Sequence, residues 1–298
     1  MPRHATSLET VSLVVPEQAL EAYEAAMLSA CGTVGFFLDE ESGLWTIEGV
    51  KDLGAHEGRL ADALALAGAA TGFVAEPSRS ATEADGWLAR NFETFPEQLV
   101  GRRFAIRGTH LDGPPTPGRL MIVLDAAIAF GSGEHGSTRG CLRALERVAH
   151  RRPRRILDLG SGTGILAMAA ARLLHRRVRA TDIEPWSVRV ARDNARRNRL
   201  GRAVTVRLAD GWRAPWVRAG GPYDLVFANI LARPLCRMAC DLAANLAPGG
   251  TAILAGLLER QARWVLTAHR RHGLVLMEKQ HEGDWTTLVL RKTVSVRP

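Results

Sequence analysis

No stretch of this 298-residue chain approaches the roughly 20 consecutive apolar residues that a membrane-spanning helix needs, and its first residues form no basic-then-apolar leader. Both absences argue against a membrane or exported protein, and a soluble, cytoplasmic one is expected. Cysteine is scarce. Cys31, Cys141, Cys236 and Cys240 include no CxxC and no histidine partner at ligand spacing, and Cys236 and Cys240 fall one helical turn apart in an apolar stretch. Reduced core residues are expected, with no disulfide and no metal. Internal repeats and low-complexity tracts are also missing. What remains is a chain with 46% hydrophobic residues, enough to bury the core of one large domain or two modest ones.

Acidic residues are few in the later part of the chain and cations are few in the earlier part. Residues 1–85 hold four Lys/Arg (Arg3, Lys51, Arg59 and Arg79) against fourteen Asp/Glu, so a net of −10 faces about +18 in the remainder. An acidic N-terminal module suits a basic protein partner. The arginine clusters at 151–155 and 196–202 read either as a solvated helix face or as a surface for RNA or a ribosome.

The most informative segment is Arg154-Arg-Ile-Leu-Asp-Leu-Gly-Ser-Gly-Thr-Gly164, an apolar run and an acid followed by three alternate glycines; Asp182 closes the next apolar run, 22 residues past Gly160. Glycines so spaced let the backbone turn sharply and approach a ligand closely. A dinucleotide site would need a glycine where Ile165 stands, and Asp158 would repel a pyrophosphate. An uncharged or cationic group suits that acid, and S-adenosylmethionine carries a sulfonium, an ammonium and no phosphate. Gly160, Gly162 and Gly164 are therefore expected at its amino-acid end, with Asp182 accepting hydrogen bonds from the ribose hydroxyls. Asp210 is either a turn residue or a partner of the adenine amino group.

Hydrophobic periodicity divides the chain. A strand over 8–15, a helix over 16–31 with Leu20, Tyr23, Met27 and Leu28 on its apolar side, a hairpin (34–38 and 44–50), a helix over 55–69 and a short strand over 71–75 predict a ferredoxin-like α+β domain. A connecting helix over 83–91 follows, then strands at 104–107 and 120–124. From 155 onward strands and helices alternate: helices at 163–175, 185–198, 231–246 and 258–271, and a closing strand pair near 274–279 and 285–291. The expected fold is α/β, a class I methyltransferase Rossmann-like sheet behind an N-terminal ferredoxin-like domain. The boundaries are 1–80 for substrate recognition, 81–118 for a connecting helix and linker, and 119–298 for the catalytic domain.

Asn229-Ile-Leu-Ala232 follows the fourth strand of that sheet, where acceptor and methyl group meet in this fold. Adenine N6 methyltransferases place an aromatic ring there to stack a flipped base. This chain has none, which favours an amine acceptor; Asn229 is alternatively the cap of the next helix. The loop Ala129-Phe-Gly-Ser-Gly-Glu-His-Gly-Ser-Thr138 is longer than a connection requires and reads as a lid.

Together with Asp158–Gly164, Ala180-Thr-Asp-Ile-Glu-Pro185, Arg192-Asp-Asn-Ala195 and Ala228-Asn-Ile-Leu231, that loop resembles the bacterial ribosomal protein L-eleven methyltransferases, the PrmA family, over nearly the whole chain. The resemblance implies donor-binding positions at Thr138, Gly160, Asp182 and Asn229, and methylation of lysines and of an α-amine of that ribosomal protein. The family's His-Pro-Thr-Thr stands here as His135-Gly-Ser-Thr138, and Gly136 in place of proline is expected to loosen the lid. Two other readings are a lysine methyltransferase of another protein, of the electron-transfer flavoprotein β subunit type, and an RNA methyltransferase. Phe36, Phe37, Trp45 and Phe73 are aromatic candidates for gripping substrate, and Trp87 and Phe92 for packing between domains.

Overall fold

The computed structural model describes residues 8–31, 33–39, 42–82, 96–109, 111, 113–114, 116–124 and 136–293. The chain divides into two compact units, Met1–Glu93 and Thr94–Pro298. The expected helix over 83–91, with Trp87 and Phe92, lies outside the described residues.

In the first unit, β1 (Leu8–Val15), α1 (Glu17–Ala30), β2 (Thr33–Asp39), β3 (Leu44–Asp52), α2 (Glu57–Thr71) and β4 (Ser78–Thr82) build an antiparallel sheet in the order β2-β3-β1-β4. This is the ferredoxin-like arrangement. Strand alternation buries Val11, Leu13 and Val15 and exposes Val14, while α1 buries Leu20, Tyr23 and Met27 and turns Leu28 outward.

The last strand is displaced from the expected 71–75. α2 continues through Thr71 and closes on Gly72 at φ 70°. The Tyr23 hydroxyl donates to the Phe73 carbonyl at 2.6 Å and accepts from the Ala75 N–H at 3.0 Å. The backbone of this apolar stretch is thus tied to a side chain, and the polar segment Ser-Arg-Ser-Ala-Thr joins the edge of β1 instead.

The second unit opens with β5 (Gln98–Val100), β6 (Phe104–Gly108) and β7 (Leu120–Leu124), a small sheet in which β6 and β7 run parallel. Phe104, Ile106, Ile122 and Leu124 are fully buried in the same core as the main sheet. Much of the segment expected to be linker is therefore part of this unit. Asn198 holds the small sheet in place: its side-chain amide accepts from the Val123 N–H at 2.9 Å and donates to the Val123 carbonyl at 2.6 Å, standing in for one residue of a neighbouring strand.

The main sheet contains β8 (Ile156–Leu159), β9 (Val178–Asp182), β10 (Val204–Leu208), β11 (Tyr223–Asn229), β12 (Leu246–Leu258), β13 (Leu274–Glu282) and β14 (Trp285–Lys292), in the order β10-β9-β8-β11-β12-β14-β13. Only β14 runs antiparallel to its neighbours, inserted by the terminal hairpin. Its helices are α3 (Gly136–Val148), α4 (Ile165–Leu174), α5 (Pro185–Arg197), the short α6 (Pro215–Arg218), α7 (Ala232–Arg237), α8 (Ala239–Asn245) and α9 (Glu259–Arg270). Both faces are covered. Leu225 and Phe227 of β11 enter one core, and Val226 and Ala228 enter the other, which is why that strand is an unbroken apolar run.

The helix expected over 231–246 breaks at Met238, where ψ of 2° leaves the helical region. Cys236 and Cys240 therefore fall on different helices, the first half-buried and the second exposed, so Cys240 is not the core residue that its spacing suggested. Cys31 and Cys141 are buried, and desolvation raises both thiols above their ordinary range. Among the described residues, no helix is long and apolar enough to cross a membrane, and no group of three or more His, Cys, Asp and Glu could hold a metal ion.

Candidate active site

Four adjacent strands, β10, β9, β8 and β11, deliver the expected residues to their carboxyl ends. Gly160 follows β8, Asp182 is the last residue of β9, Asp210 lies beyond β10, and Asn229 ends β11. This is where an open α/β sheet leaves a crevice.

The turn after β8 is built from backbone. The N–H groups of Gly160 and Ser161 both donate to the Thr181 carbonyl, at 2.8 and 2.9 Å, so the turn hangs on the end of β9. Gly160, Gly162 and Gly164 have φ of 69°, 50° and 79°, a left-handed course that glycine takes without steric cost. At Gly160 space is a second constraint, because a Cβ would lie 2.4 Å from Ile230 Cγ2. The glycine thus lets the loop after β11, which carries Asn229, close against the turn after β8.

Asp182 orders that turn. It is 9% exposed, and its carboxylate accepts from the Gly162 N–H at 2.8 Å and the Glu184 N–H at 3.0 Å. Lone pairs remain on both oxygens for hydroxyl donors. Asp158 is fully buried and accepts from the Ala167 N–H in the first turn of α4 at 3.0 Å, while its Oδ1 has no partner among the described residues. Burial is the main cause that pushes this carboxyl up to about 7; the Ala167 hydrogen bond opposes the rise and the Asp182 charge adds to it.

Asn229 does not cap the following helix. Leu231 occupies the cap position of α7, with no side-chain cap bond. Instead Asn229 Nδ2 donates to Thr138 Oγ1 at 3.4 Å, and Oδ1 is buried without a partner among the described residues. Thr138 is fully buried in the first turn of α3. Two residues that resemblance placed in one site, 91 positions apart, are thereby in contact. Asp210 stands apart: its side chain is 56% exposed and paired with Arg213 at 2.9 Å.

Residues 129–135 of the expected lid lie outside the described residues. Gly136, where the replacement of proline is expected to loosen the lid, opens α3 in close approach to the terminal hairpin. A Cβ there would lie 2.4 Å from the Glu282 carbonyl oxygen, and one at Gly140 would lie 2.2 Å from Thr287 Oγ1. Two glycines one turn apart seat α3 directly on the terminal hairpin, and Arg143 adds an ion pair to Glu282 at 2.9 Å. The supporting contacts of Ile230 and of Asn194, whose buried amide donates to the Thr163 carbonyl at 3.0 Å, were not assigned from sequence. The signal for Asn194 is a polar residue between Ala191 and Ala195 on the buried side of α5.

The unpaired acceptors Asp158 Oδ1 and Asn229 Oδ1 fit a ligand that brings N–H donors and positive charge; a pyrophosphate would set anion against anion. Fold and site together define a class I methyltransferase. The model of the family "Ribosomal protein L11 methyltransferase (PrmA)" matches residues 40–293, and the chain belongs to that family. It is 47% identical over 211 residues to the ribosomal protein L11 methyltransferase of Bradyrhizobium diazoefficiens, covering 70% of this chain and 71% of that one. With the Rhizobium meliloti protein of the same name it shares 46% over 207 residues, covering 69% and 71%. The crystal structure of a ribosomal protein L11 methylase from Lactobacillus delbrueckii subsp. bulgaricus superposes with a TM-score of 0.60 at 28% identity, over 66% of this chain and all of that one.

Proposed function

We propose that this chain is a cytoplasmic enzyme that transfers methyl groups from S-adenosylmethionine to lysine side chains and the N-terminal α-amine of ribosomal protein L11. The observation that carries the reading is the pair of buried acceptors, Asp158 Oδ1 and Asn229 Oδ1, without partners among the described residues, at the ends of neighbouring strands. Gly160 and Gly162 would line the amino-acid end of the donor, and Thr138 would fix Asn229 beside it. Asp182 would take the ribose hydroxyls on the lone pairs left by Gly162 and Glu184, and Asp210 would offer the adenine amino group the oxygen that Arg213 does not hold.

When bound, S-adenosylmethionine supplies an electrophilic methyl group on a sulfonium. The protein's task is to present a neutral amine in line with it, so positioning supplies most of the rate. A lysine of ordinary pKa near 10.4 costs roughly 4–5 kcal/mol to deprotonate at neutral pH, and an α-amine near 8 costs about 1. Desolvation in the crevice lowers both costs. Asn229 is suited to the remaining step because its carbonyl can hold one amine N–H and aim the lone pair without an anionic charge that would restore the ammonium. The acidic first unit would receive the basic substrate.

Intact-mass measurement of ribosomal protein L11 after incubation with this enzyme and S-adenosylmethionine tests the reading. Stepwise additions of one methylene each are expected, and Asn229→Ala should slow them sharply and weaken donor binding in calorimetry. An unmodified substrate beside normal donor binding would overturn the substrate assignment.

A further inference from the structure

The amino ends of the same four strands, at the pole of the sheet opposite the crevice, carry exposed arginines at every entry. Arg151, Arg152 and Arg154 precede β8; Arg176 and Arg177 precede β9. Arg199 and Arg202 precede β10, and Arg218 lies in the segment before β11. Because β10, β9, β8 and β11 are consecutive in the sheet, these entries form one continuous rim. None of these side chains has an ion-pair partner among the described residues. At the β8 end of the rim lies a hollow of about 290 Å³ lined by Arg151, Arg152, Arg154 and the Pro248–Thr251 turn. The one carboxylate lining it, Asp224, is held by the backbone N–H groups of Arg154 and Arg155 at 2.8 and 2.9 Å.

A second feature singles out these positions. Arg152, His175 and Arg199 have φ of 54°, 52° and 58°, each at the turn that leads from a helix into β8, β9 or β10. Glycine enters that backbone region freely, whereas a side chain is strained there. The fold keeps a basic side chain at all three turns. The ends of the adjoining helices attract cations through their dipoles, but a lysine or arginine within the last turn meets that need without left-handed backbone.

We infer that this pole binds the phosphate backbone of RNA. Guanidinium groups rather than ammonium groups line it, and their planar fork matches phosphate oxygens in pairs. Next to the loop that enters β11, Arg179 lies 4.7 Å from the Trp216 ring and donates to the Trp216 carbonyl, which holds one further guanidinium group in place. A lipid surface is a poorer fit, because Ile183, Trp186 and Leu208, the exposed apolar side chains carried by these strands and their helices, sit at the crevice end. RNA at this pole leaves the crevice open, so the inference stands independently of the methyl acceptor.

The test is fluorescence anisotropy with a labelled RNA hairpin over a salt series, using the full chain and the double variant Arg152→Gly/Arg199→Gly. Glycine removes charge and relieves backbone strain together, so the variant should melt no lower than the parent and methylate protein substrate at the same rate. The parent should bind with a log–log salt slope of about −0.7 to −0.9 per phosphate contact, and the variant should lose about tenfold in affinity and about two contacts of slope. No RNA binding at low salt, equal binding by the variant, or preference for phosphatidylserine vesicles over the hairpin would each overturn the inference.

Discussion

The two units handle buried charge in opposite ways. In the first, Lys51 is 4% exposed yet fully partnered, with its ammonium 2.5 Å from Glu9 and 2.5 Å from Glu57 and hydrogen-bonded to the Ala55 carbonyl at 2.8 Å. Arg79 joins the same carboxylates. Two of this unit's few cations are thus paired with two of its own carboxylates, which leaves its net charge unchanged. In the second unit Asp158 is buried with one oxygen unpartnered among the described residues, and most arginines face outward, Arg107 being buried against Glu97. A charge closed on itself stabilises a fold, whereas one left open awaits a ligand.

The strongest way to break this contrast is Lys51→Met. Removing one member of a buried pair strands the carboxylates, and the first unit should lose about 3–5 kcal/mol in denaturant unfolding followed by Trp45 fluorescence. An unchanged midpoint would mean that the network contributes nothing. At the crevice, Asn229→Ala should lower turnover about 10²–10³-fold, the scale of losing a preorganised polar contact, with the melting temperature little changed.

The contrast sharpens with pH. Glu9, hydrogen-bonded by Lys51, and Glu57, bonded chiefly by Arg79 and held near about 2, both titrate below the ordinary 4.5. Depressed carboxyls contribute stability above their unfolded pKa and lose it as pH falls through the folded one, so the first unit should weaken from about pH 4.5 toward 2. For Lys51, burial pulls the ammonium down, but the Glu57 and Glu9 hydrogen bonds outweigh it and hold it above 10.5, so its contribution fades only in strong alkali.

Asp158 has the opposite sign. Its raised carboxyl keeps a proton in the folded state that the unfolded chain has released, so stability of the second unit should fall as pH rises from about 4 to about 7. Asp158→Asn should abolish that slope. In the parent, binding a cationic donor should release a proton near neutrality, measurable by calorimetry in buffers of different ionisation enthalpy; no buffer dependence would show Asp158 already ionised. The smallest effect belongs to Asn198→Ala, which leaves the Val123 N–H and carbonyl unpaired and should cost about 1–2 kcal/mol without altering donor affinity.

Much of this was legible in the chain. The β/α alternation after Arg155, the glycine turn and the acid at 182 are local patterns, because strand and helix periods and positive-φ requirements act on neighbouring residues. Three features were not. The edge strand at 78–82 has no apolar alternation, the break at Met238 carries no glycine, and the arginines at 152 and 199 stand where glycine signals a turn.

By itself the sequence determined which segments become strands and helices, the division of charge between the two halves, and the residue types at the strand ends. Only tertiary structure decided that Thr138 meets Asn229, that Gly160 yields space to Ile230, that Gly136 seats α3 on the terminal hairpin, and that one oxygen of Asp158 has no partner among the described residues. These depend on contacts between residues tens of positions apart, where no local period operates and close packing in the assembled sheet sets the distances.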